Sequence, residues 1–171
     1  FKKKIKVLHI APEQCFYEIF KSLDNITYTT FDLNSPLAMV KGDICNMPFE
    51  ENSFDFILCN HVLEHIIDDT KAMKELFRVL NLNGTAIVQV PINQNSKKTF
   101  EDNSITDKKE RIIKFGQYDH VRIYGLDFFN GLKSVGFYVN PIKYSKTFSD
   151  DEINKFGLIK EEIIPVCKKL S

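Results

Sequence analysis

The stretch SFDFILCN, Ser53–Asn60, predicts a strand at the centre of a parallel sheet. Phe56–Cys59 is an unbroken apolar run, which is typical of strands that are covered on both faces. A helix is expected from about Asp68, because five apolar residues then recur on one helical face: Ala72, Met73, Leu76, Phe77 and Leu80. A strand that leads into a helix is the building unit of an α/β sheet.

The same alternation continues on both sides of this unit. Further strands are expected at Ile5–Ile10, Thr27–Leu33, Met39–Ile44 and Thr85–Pro91. One helix is expected from Glu13, and another from Asp127 with its end near Gly136. Residues 137–148 predict one or two antiparallel edge strands, and the amphipathic tail from Asp150 is expected to be helical.

This order of elements predicts an α/β protein with a mostly parallel, seven-stranded sheet and helices on both faces. The length of 171 residues favours a single domain, residues 1–171. Because the chain starts at Phe1 rather than Met, an N-terminal segment is expected to be missing. Residues 93–125 hold a long polar excursion, which we interpret as a loop or lid insertion on the substrate side.

Composition and charge argue against several classes of function. The formal net charge is +0, with 43% apolar and 27% charged residues, so nothing indicates a nucleic-acid partner. No apolar run is long enough to predict a membrane span. The four cysteines have no zinc-site spacing, so no metal is expected, and scattered thiols favour a cytoplasmic location. The oligomeric state stays open.

Ligands bind parallel α/β sheets at the carboxyl ends of the strands, so the residues that follow each strand are candidates. The loop HIAPE, His9–Glu13, lacks the glycines that a phosphate site needs, and Glu13 would repel a pyrophosphate. The same carboxylate would attract a cation. Asp32 follows the second strand at the usual spacing for an acid that binds ribose hydroxyls. These features favour a cofactor with a nucleoside and a positive charge, such as S-adenosylmethionine (SAM).

A longer stretch carries a family resemblance: GDICNMPFEENSFDFILCNHVLEHIIDDTKAMKELFRVLNLNGTAIVQVP, Gly42–Pro91. It resembles the middle of a class I SAM-dependent methyltransferase of the type-11 group. The resemblance implies a Rossmann-like fold, with SAM as the cofactor and S-adenosylhomocysteine (SAH) as the product. It implies that Asp43 contacts the adenine amino group and that Asn60 and His61 line the methionine end. The full set of implied cofactor-binding residues is His9, Ala11, Pro12, Glu13, Asp32, Leu33, Asp43, Ile44, Cys45, Asn60 and His61.

The first loop departs from the family pattern D-x-G-x-G-x-G. His9 stands in place of the acid, and other residues stand in place of the three glycines: Ala11, Glu13 and Cys15. The loop LHIAPE, Leu8–Glu13, and the later stretch FGQYDHVRIYG, Phe115–Gly125, resemble a subgroup of this family. That subgroup often carries an N-terminal cysteine-rich segment.

Several of these side chains also have ordinary structural interpretations. Asp32 could close the turn after its strand, and Glu13 could complement the dipole of the helix that follows it. Glu64 could cap and pack the turn after Asn60. Candidate general bases are the three histidines His61, His65 and His120, since an imidazole pKa near ~6.5 suits proton removal at neutral pH.

The segment Asp119–Tyr124 alternates strictly between polar and apolar residues. If it is extended, His120, Arg122 and Tyr124 share one face. We interpret that face as a lid wall that binds substrate, where the fork of Arg122 would suit an anionic group. A half-buried edge strand with a solvated face is the alternative interpretation.

The function that these features favour is SAM-dependent methyl transfer to a small-molecule acceptor, which could be anionic, a sugar or a lipid precursor. Two alternatives stay open. One is a non-catalytic SAM-binding module, which the missing glycines favour. The other is an NAD-dependent oxidoreductase, since Asp32 suits the ribose of NAD as well as that of SAM.

Overall fold

The computed structural model describes residues 4–170. The strands are β1 (Ile5–Ile10), β2 (Ile26–Asp32), β3 (Val40–Lys41), β4 (Phe54–Asn60), β5 (Leu80–Gln89), β6 (Phe100–Glu101), β7 (Arg122–Ile123), β8 (Tyr138–Ile142) and β9 (Ile164–Lys168). The helices are α1 (Gln14–Lys21), α2 (Asp69–Val79), α3 (Lys108–Phe115), α4 (Phe128–Ser134) and α5 (Asp150–Phe156). Within the described part of the chain, no helix is both long and apolar enough to cross a membrane.

Seven strands form one sheet in the order β3-β2-β1-β4-β5-β9-β8. The first five of these are parallel, so their carboxyl ends meet at one edge. β9 and β8 complete the sheet in antiparallel pairing. The chain runs outward from β1 to β3 and then returns to place β4 on the other side of β1. This reversal is the switch point at which α/β sheets bind their ligands.

The core is centred on β1, β4 and α2. Leu8 and Ile57 are fully buried in the two central strands, as expected for strands covered on both faces. The α2 helix begins where the carboxylate of Asp68 accepts a hydrogen bond of 2.9 Å from the amide of Lys71. Its apolar stripe then buries Ala72 and Leu76 completely. The α/β class and the mostly parallel seven-stranded sheet are thus confirmed.

The predicted strands agree with the structure best in the centre of the sheet. β1 has the predicted bounds, β4 begins one residue later than predicted, and β2 begins and ends one residue earlier than predicted. The third strand is shorter than Met39–Ile44, because Ile44 already begins a turn of 3-10 helix. The fifth strand starts earlier than predicted, at Leu80, and contains a register shift against β4.

The prediction of a helical tail was wrong for its second half. Helix α5 ends at Phe156, and Ile164–Lys168 forms strand β9 between β5 and β8. Cys167 in this strand pairs with Ala86 on one side and Val139 on the other. Pairing with two neighbours outweighs the amphipathic pattern that suggested a helix, because strand propensity depends strongly on tertiary context.

The segment 93–125 carries its own short elements rather than one long loop. Strands β6 and β7 pair antiparallel in a small separate sheet, and α3 lies between them in the chain. The amide of Asn93 donates to the carbonyl of Tyr124 over 2.8 Å, which closes the segment at its base. Its role on the substrate side stays a prediction.

Candidate functional site

The loop after β1 makes its turn without glycine. Ala11 takes the left-handed backbone conformation at φ 48°, which costs a residue with a Cβ about 1 kcal/mol. Its amide donates to the carbonyl of Phe31 over 2.9 Å, which ties the loop to the end of β2. Pro12 is buried behind the turn, and Glu13 is the residue that precedes α1. Ala11 therefore makes a left-handed turn at a position that holds glycine in the pattern D-x-G-x-G-x-G.

Four side chains form one connected set beside this loop. The hydroxyl of Tyr28 lies 2.7 Å from Nδ1 of His9, and Nε2 of His9 contacts the carboxylate of Glu13. The other oxygen of Glu13 accepts a hydrogen bond of 2.9 Å from the side-chain amide of Asn60. His9 is fully buried, whereas the side chain of Glu13 is 33% exposed. The carboxylate is thus held by two neighbours and still reaches solvent.

His9 is a neutral member of this set. Its burial lowers the pKa of the imidazole, and this effect exceeds the opposing influence of Glu13. With the Tyr28 hydroxyl donating to Nδ1, the neutral ring carries its proton on Nε2 and donates it to Glu13. A neutral ring leaves the negative charge of the Glu13 carboxylate uncompensated.

A small pocket of about 80 Å³ lies at the ends of β1 and β2 and in the loop after β3. Asp32 and Asp43 supply its carboxylates, and the remaining lining is largely apolar: Ile10, Phe31, Leu33, Gly42, Ile44, Val62 and Ile66. Gly42 is required here for space, because a Cβ at this position would lie 2.9 Å from the buried ring of Phe31.

Each of the two pocket carboxylates closes a turn with one oxygen. Oδ1 of Asp32 accepts hydrogen bonds from the amides of Asn34 and Ser35, at 2.7 and 2.6 Å. Oδ1 of Asp43 accepts a hydrogen bond of 2.8 Å from the amide of Cys45. Within residues 4–170, Oδ2 of Asp32 has no hydrogen-bond donor, whereas the carboxylate of Asp43 also interacts with the thiol of Cys45. The turn-closing interpretation therefore leaves one oxygen of Asp32 free for a ligand.

Leu33 and Cys45 flank this pocket in different ways. Leu33 is 62% exposed, so a flat ligand could cover it. Cys45 is half-buried, and its burial raises the pKa of the thiol to about 11. The thiol is therefore protonated and unreactive at neutral pH.

His61 stands where β4 ends, between two cavities of about 320 and 370 Å³. Its backbone is left-handed, at φ 52°, and its side chain is 58% exposed. Nδ1 lies 3.4 Å from Oε1 of Glu64, and this contact raises the pKa of His61. Of the three candidate bases, His61 alone lines these cavities.

Two residues that were not among the predicted site residues line both cavities. They are Gln89 and Glu162, whose side chains are joined by a hydrogen bond of 2.9 Å. Gln89 ends β5, so the rule that ligands bind at the carboxyl ends of the strands could have identified it. Glu162 precedes β9 in the part of the tail that was expected to be helical, and no sequence signal pointed to it.

Arg122 and Tyr124 lie elsewhere than the lid-wall interpretation expects. Arg122 is only 2% exposed, and its guanidinium donates to the carbonyls of Leu63, Ile66 and Ile67. It also pairs with two carboxylates, those of Asp69 and Glu101. The hydroxyl of Tyr124, itself 2% exposed, donates to Asp69 over 2.7 Å.

The alternation in Asp119–Tyr124 was therefore misleading, because only Arg122–Ile123 is strand and the guanidinium turns inward. Its donors are used to fix the turn after β4, so they are not directed at a substrate. His120 packs edge to face on His65, with ring centroids 4.8 Å apart. The substrate contacts of this segment stay predictions.

The chain was compared with family models, with curated proteins and with solved structures. Residues 7–88 match a family model described as a methyltransferase domain. An uncharacterized protein of Methanocaldococcus jannaschii is 34% identical over 109 residues, which is 58% of this chain and 47% of that protein. Ajmaline N-methyltransferase of Rauvolfia serpentina is 27% identical over 109 residues, 64% of this chain and 35% of that protein. These matches thus span less than half of each curated relative's length.

The match in three dimensions is more complete. An S-adenosylmethionine dependent methyltransferase from Mesorhizobium loti superposes with a TM-score of 0.65 and 11% identity. The match covers 96% of this chain and 91% of that chain. At such low identity the likeness shows the fold alone.

Proposed function

We propose that this chain, which belongs to the class I SAM-dependent methyltransferases, binds SAM and transfers its methyl group to a small-molecule acceptor. One observation carries the proposal. The carboxylates of Asp32 and Asp43 line a pocket at the sheet's switch point, and that of Glu13 stands in the cavity next to His61. This arrangement matches a ligand with a polar nucleoside at one end and a positive charge at the other.

The nucleoside end fits the residues of the small pocket. A free oxygen on Asp32 suits the two hydroxyls of a ribose, since a carboxylate accepts charge-assisted hydrogen bonds. Asp43 suits an exocyclic amino group of a purine, which is a donor. Ile44 and Ile66 offer apolar surface to a flat ring. Leu33 forms part of the pocket wall and is exposed, so its side chain has room to move aside for a ring.

The positively charged end fits Glu13. The neutral ring of His9 and the amide of Asn60 hold this carboxylate without cancelling its charge. A pyrophosphate would meet repulsion here and would find no glycine-rich loop to receive it. The same features favour SAM over NAD and make an oxidoreductase the weaker alternative.

SAM supplies an electrophilic methyl group, which leaves its sulfur with the bonding electron pair when the acceptor's lone pair attacks. The residues of the chain would orient the reactants, exclude water and remove a proton from the acceptor. His61 is the best placed base, because it lines both cavities and carries a raised pKa. Base roles for His65 and His120 are weaker proposals, because neither lines these cavities.

The lining of the cavities favours certain acceptors. Glu13 and Glu162 contribute negative charge, and Phe16, Leu58 and Ile87 contribute apolar surface. A neutral or cationic group, such as a hydroxyl or an amine on an apolar skeleton, fits better than an anion. The anionic acceptor suggested by Arg122 loses its support, because that side chain is buried and engaged.

Formation of SAH from SAM in the presence of acceptor panels tests the proposal. The panels would hold hydroxylated, amine-bearing and carbon-acid small molecules, and His61→Ala would be assayed beside the unchanged chain. We expect turnover on at least one panel and a loss of about tenfold or more in the variant. Tight SAM binding without turnover on any panel would favour a non-catalytic SAM-binding module. A cytoplasmic location accords with the scattered thiols and stays a prediction.

A further inference from the structure

A second polar cluster lies beside His61, where the turn after β4 meets the segment before β7. Glu64, His65 and His120 each offer one ligand atom, and these atoms all lie within 4.8 Å of one another. The two parts of the chain are joined at this point by the amide of Val121, which donates to the carbonyl of Glu64 over 2.9 Å. The cluster is thus built by the fold, since His120 is far in sequence from the adjacent Glu64 and His65.

The carboxylate of Glu64 is buried and only partly satisfied. The residue is 2% exposed, and its Oε2 has no hydrogen-bond partner among residues 4–170. Oε1 has one contact, at 3.4 Å from His61. A buried carboxylate oxygen without a partner is costly, so it points to a group that the protein atoms do not supply.

Both histidine rings are oriented through the same nitrogen. Nδ1 of His65 lies 3.5 Å from a carboxylate oxygen of Asp119, and Nδ1 of His120 lies 3.1 Å from the carbonyl of Phe115. Histidines that bind metals donate their second ring N–H to a carboxylate or a carbonyl, as His120 does to Phe115, and His65 has a carboxylate near the same nitrogen. The arrangement leaves Nε2 of each ring for a ligand.

We propose that Glu64, His65 and His120 bind a divalent transition-metal ion through one carboxylate oxygen and two imidazole nitrogens. Two imidazoles with one carboxylate suit Zn²⁺, Co²⁺ or Fe²⁺ better than Mg²⁺ or Ca²⁺, which prefer oxygen ligands alone. Ligands of a tetrahedral zinc ion stand roughly 3.4 Å apart, so these ligand atoms, which lie within 4.8 Å of one another, must approach by up to roughly 1.4 Å on binding. Rotation of the two half-buried rings supplies that movement.

With three protein ligands, the ion keeps at least one position open. Glu64 also contacts His61, so the ion would lie next to the residue proposed as the base. An acceptor oxygen that reached the open position would lose its proton more readily. This use of the ion rests on the proposed methyl transfer, whereas the binding site itself does not.

Titration of the chelator-treated chain with Co²⁺, followed by visible absorption and calorimetry, tests the proposal. We expect one Co²⁺ per chain, displaced by Zn²⁺, with affinity reduced tenfold or more in each of His65→Gln, His120→Gln and Glu64→Gln. Cys15→Ser is the matched control, because this exposed thiol is a potential metal ligand outside the cluster. Absence of Co²⁺ binding, or unchanged affinity in the two histidine variants, would overturn the proposal.

A parallel titration with SAH separates this inference from the proposed function. His120→Gln keeps an amide that can donate to the carbonyl of Phe115, so it is expected to fold, and circular dichroism checks this. If His120→Gln loses Co²⁺ binding but still binds SAH, the result supports the metal site. If the unchanged chain binds Co²⁺ through these residues but not SAH, the methyltransferase proposal fails and the metal site stands. If it binds SAH but not Co²⁺, only the metal site fails.

Discussion

Asn60 donates a hydrogen bond of 2.9 Å to Glu13, and so joins the end of β4 to the loop after β1. The two residues meet because β1 and β4 are neighbours in the sheet. The contact fixes a carboxylate at a position that holds glycine in the family pattern D-x-G-x-G-x-G, from which this loop departs.

If this carboxylate receives a sulfonium, its charge should distinguish SAM from SAH. In Glu13→Gln, an oxygen remains to accept from His9, but the charge is lost. We expect SAM affinity to fall about fivefold, ~1 kcal/mol, while SAH affinity changes by less than about twofold. Calorimetry with both ligands measures this. Glu18→Gln, on the exposed part of α1, is the control. An equal loss of affinity for SAM and SAH in Glu13→Gln would mean that Glu13 does not interact with the sulfonium.

The free oxygen of Asp32 should be needed by both ligands, since both contain the ribose. Asp32→Asn keeps an oxygen for the amides of Asn34 and Ser35, so the turn is preserved. We expect SAM and SAH to bind about tenfold more weakly, as for loss of a charge-assisted hydrogen bond. Asp24→Asn, exposed before the other end of β2, should change nothing. Unchanged affinity in a folded Asp32→Asn chain would refute the ribose assignment.

Burial of neutral His9 should make the protein less stable in acid. Its pKa is lowered in the folded state, so below about 6.5 the unfolded chain binds more protons at this residue. The free energy of unfolding should therefore decrease as the pH is lowered, by at most about 1.4 kcal/mol per pH unit from this group. Urea unfolding at pH 7.5 and 5.5 should show a smaller fall in His9→Gln. The raised pKa of His61 acts in the opposite direction but is common to both chains and cancels. A fall of equal size in both chains would mean that His9 does not contribute.

Arg122 should act on stability rather than on an acceptor. The guanidinium is 2% exposed and donates to three carbonyls of the turn after β4, and loss of several hydrogen bonds from a charged group typically costs about 3 kcal/mol or more. We expect Arg122→Met to lower the free energy of unfolding by about that amount, as measured by urea unfolding. Arg111→Met, which loses one hydrogen bond to the carbonyl of Ile105, should cost far less. Full stability of Arg122→Met together with lost turnover would restore the lid-wall interpretation.

The parts of the fold that local pattern determines could be predicted from the sequence. The apolar runs of Ile5–Ile10 and Ser53–Asn60 define central strands, because only a strand covered on both faces tolerates such a run. The spacing from Ala72 to Phe77 likewise defines α2, whereas Leu80, which was predicted on the same helical face, already begins β5. Asp32 and Asp43 lie at or after the carboxyl ends of strands, where α/β sheets bind ligands, and this rule is sufficient to place them at the pocket.

The parts that depend on tertiary pairing could not be predicted. Strand β9 is only five residues long and owes its conformation to β5 and β8 on its two sides. The inward turn of Arg122 depends on three carbonyls of a turn far away in sequence. His65 and His120 were predicted as separate bases, because no spacing in the sequence reveals that their rings touch.

Calorimetric titration of the chain with SAM, SAH and NAD tests the central claim most directly. The claim is that a glycine-free loop, with Ala11 in a left-handed turn and Glu13 held by Asn60, still forms a working sulfonium site. Micromolar binding of SAM and SAH, with none of NAD, is the predicted result. Binding of NAD alone, or of none of the three by the folded chain, would contradict it.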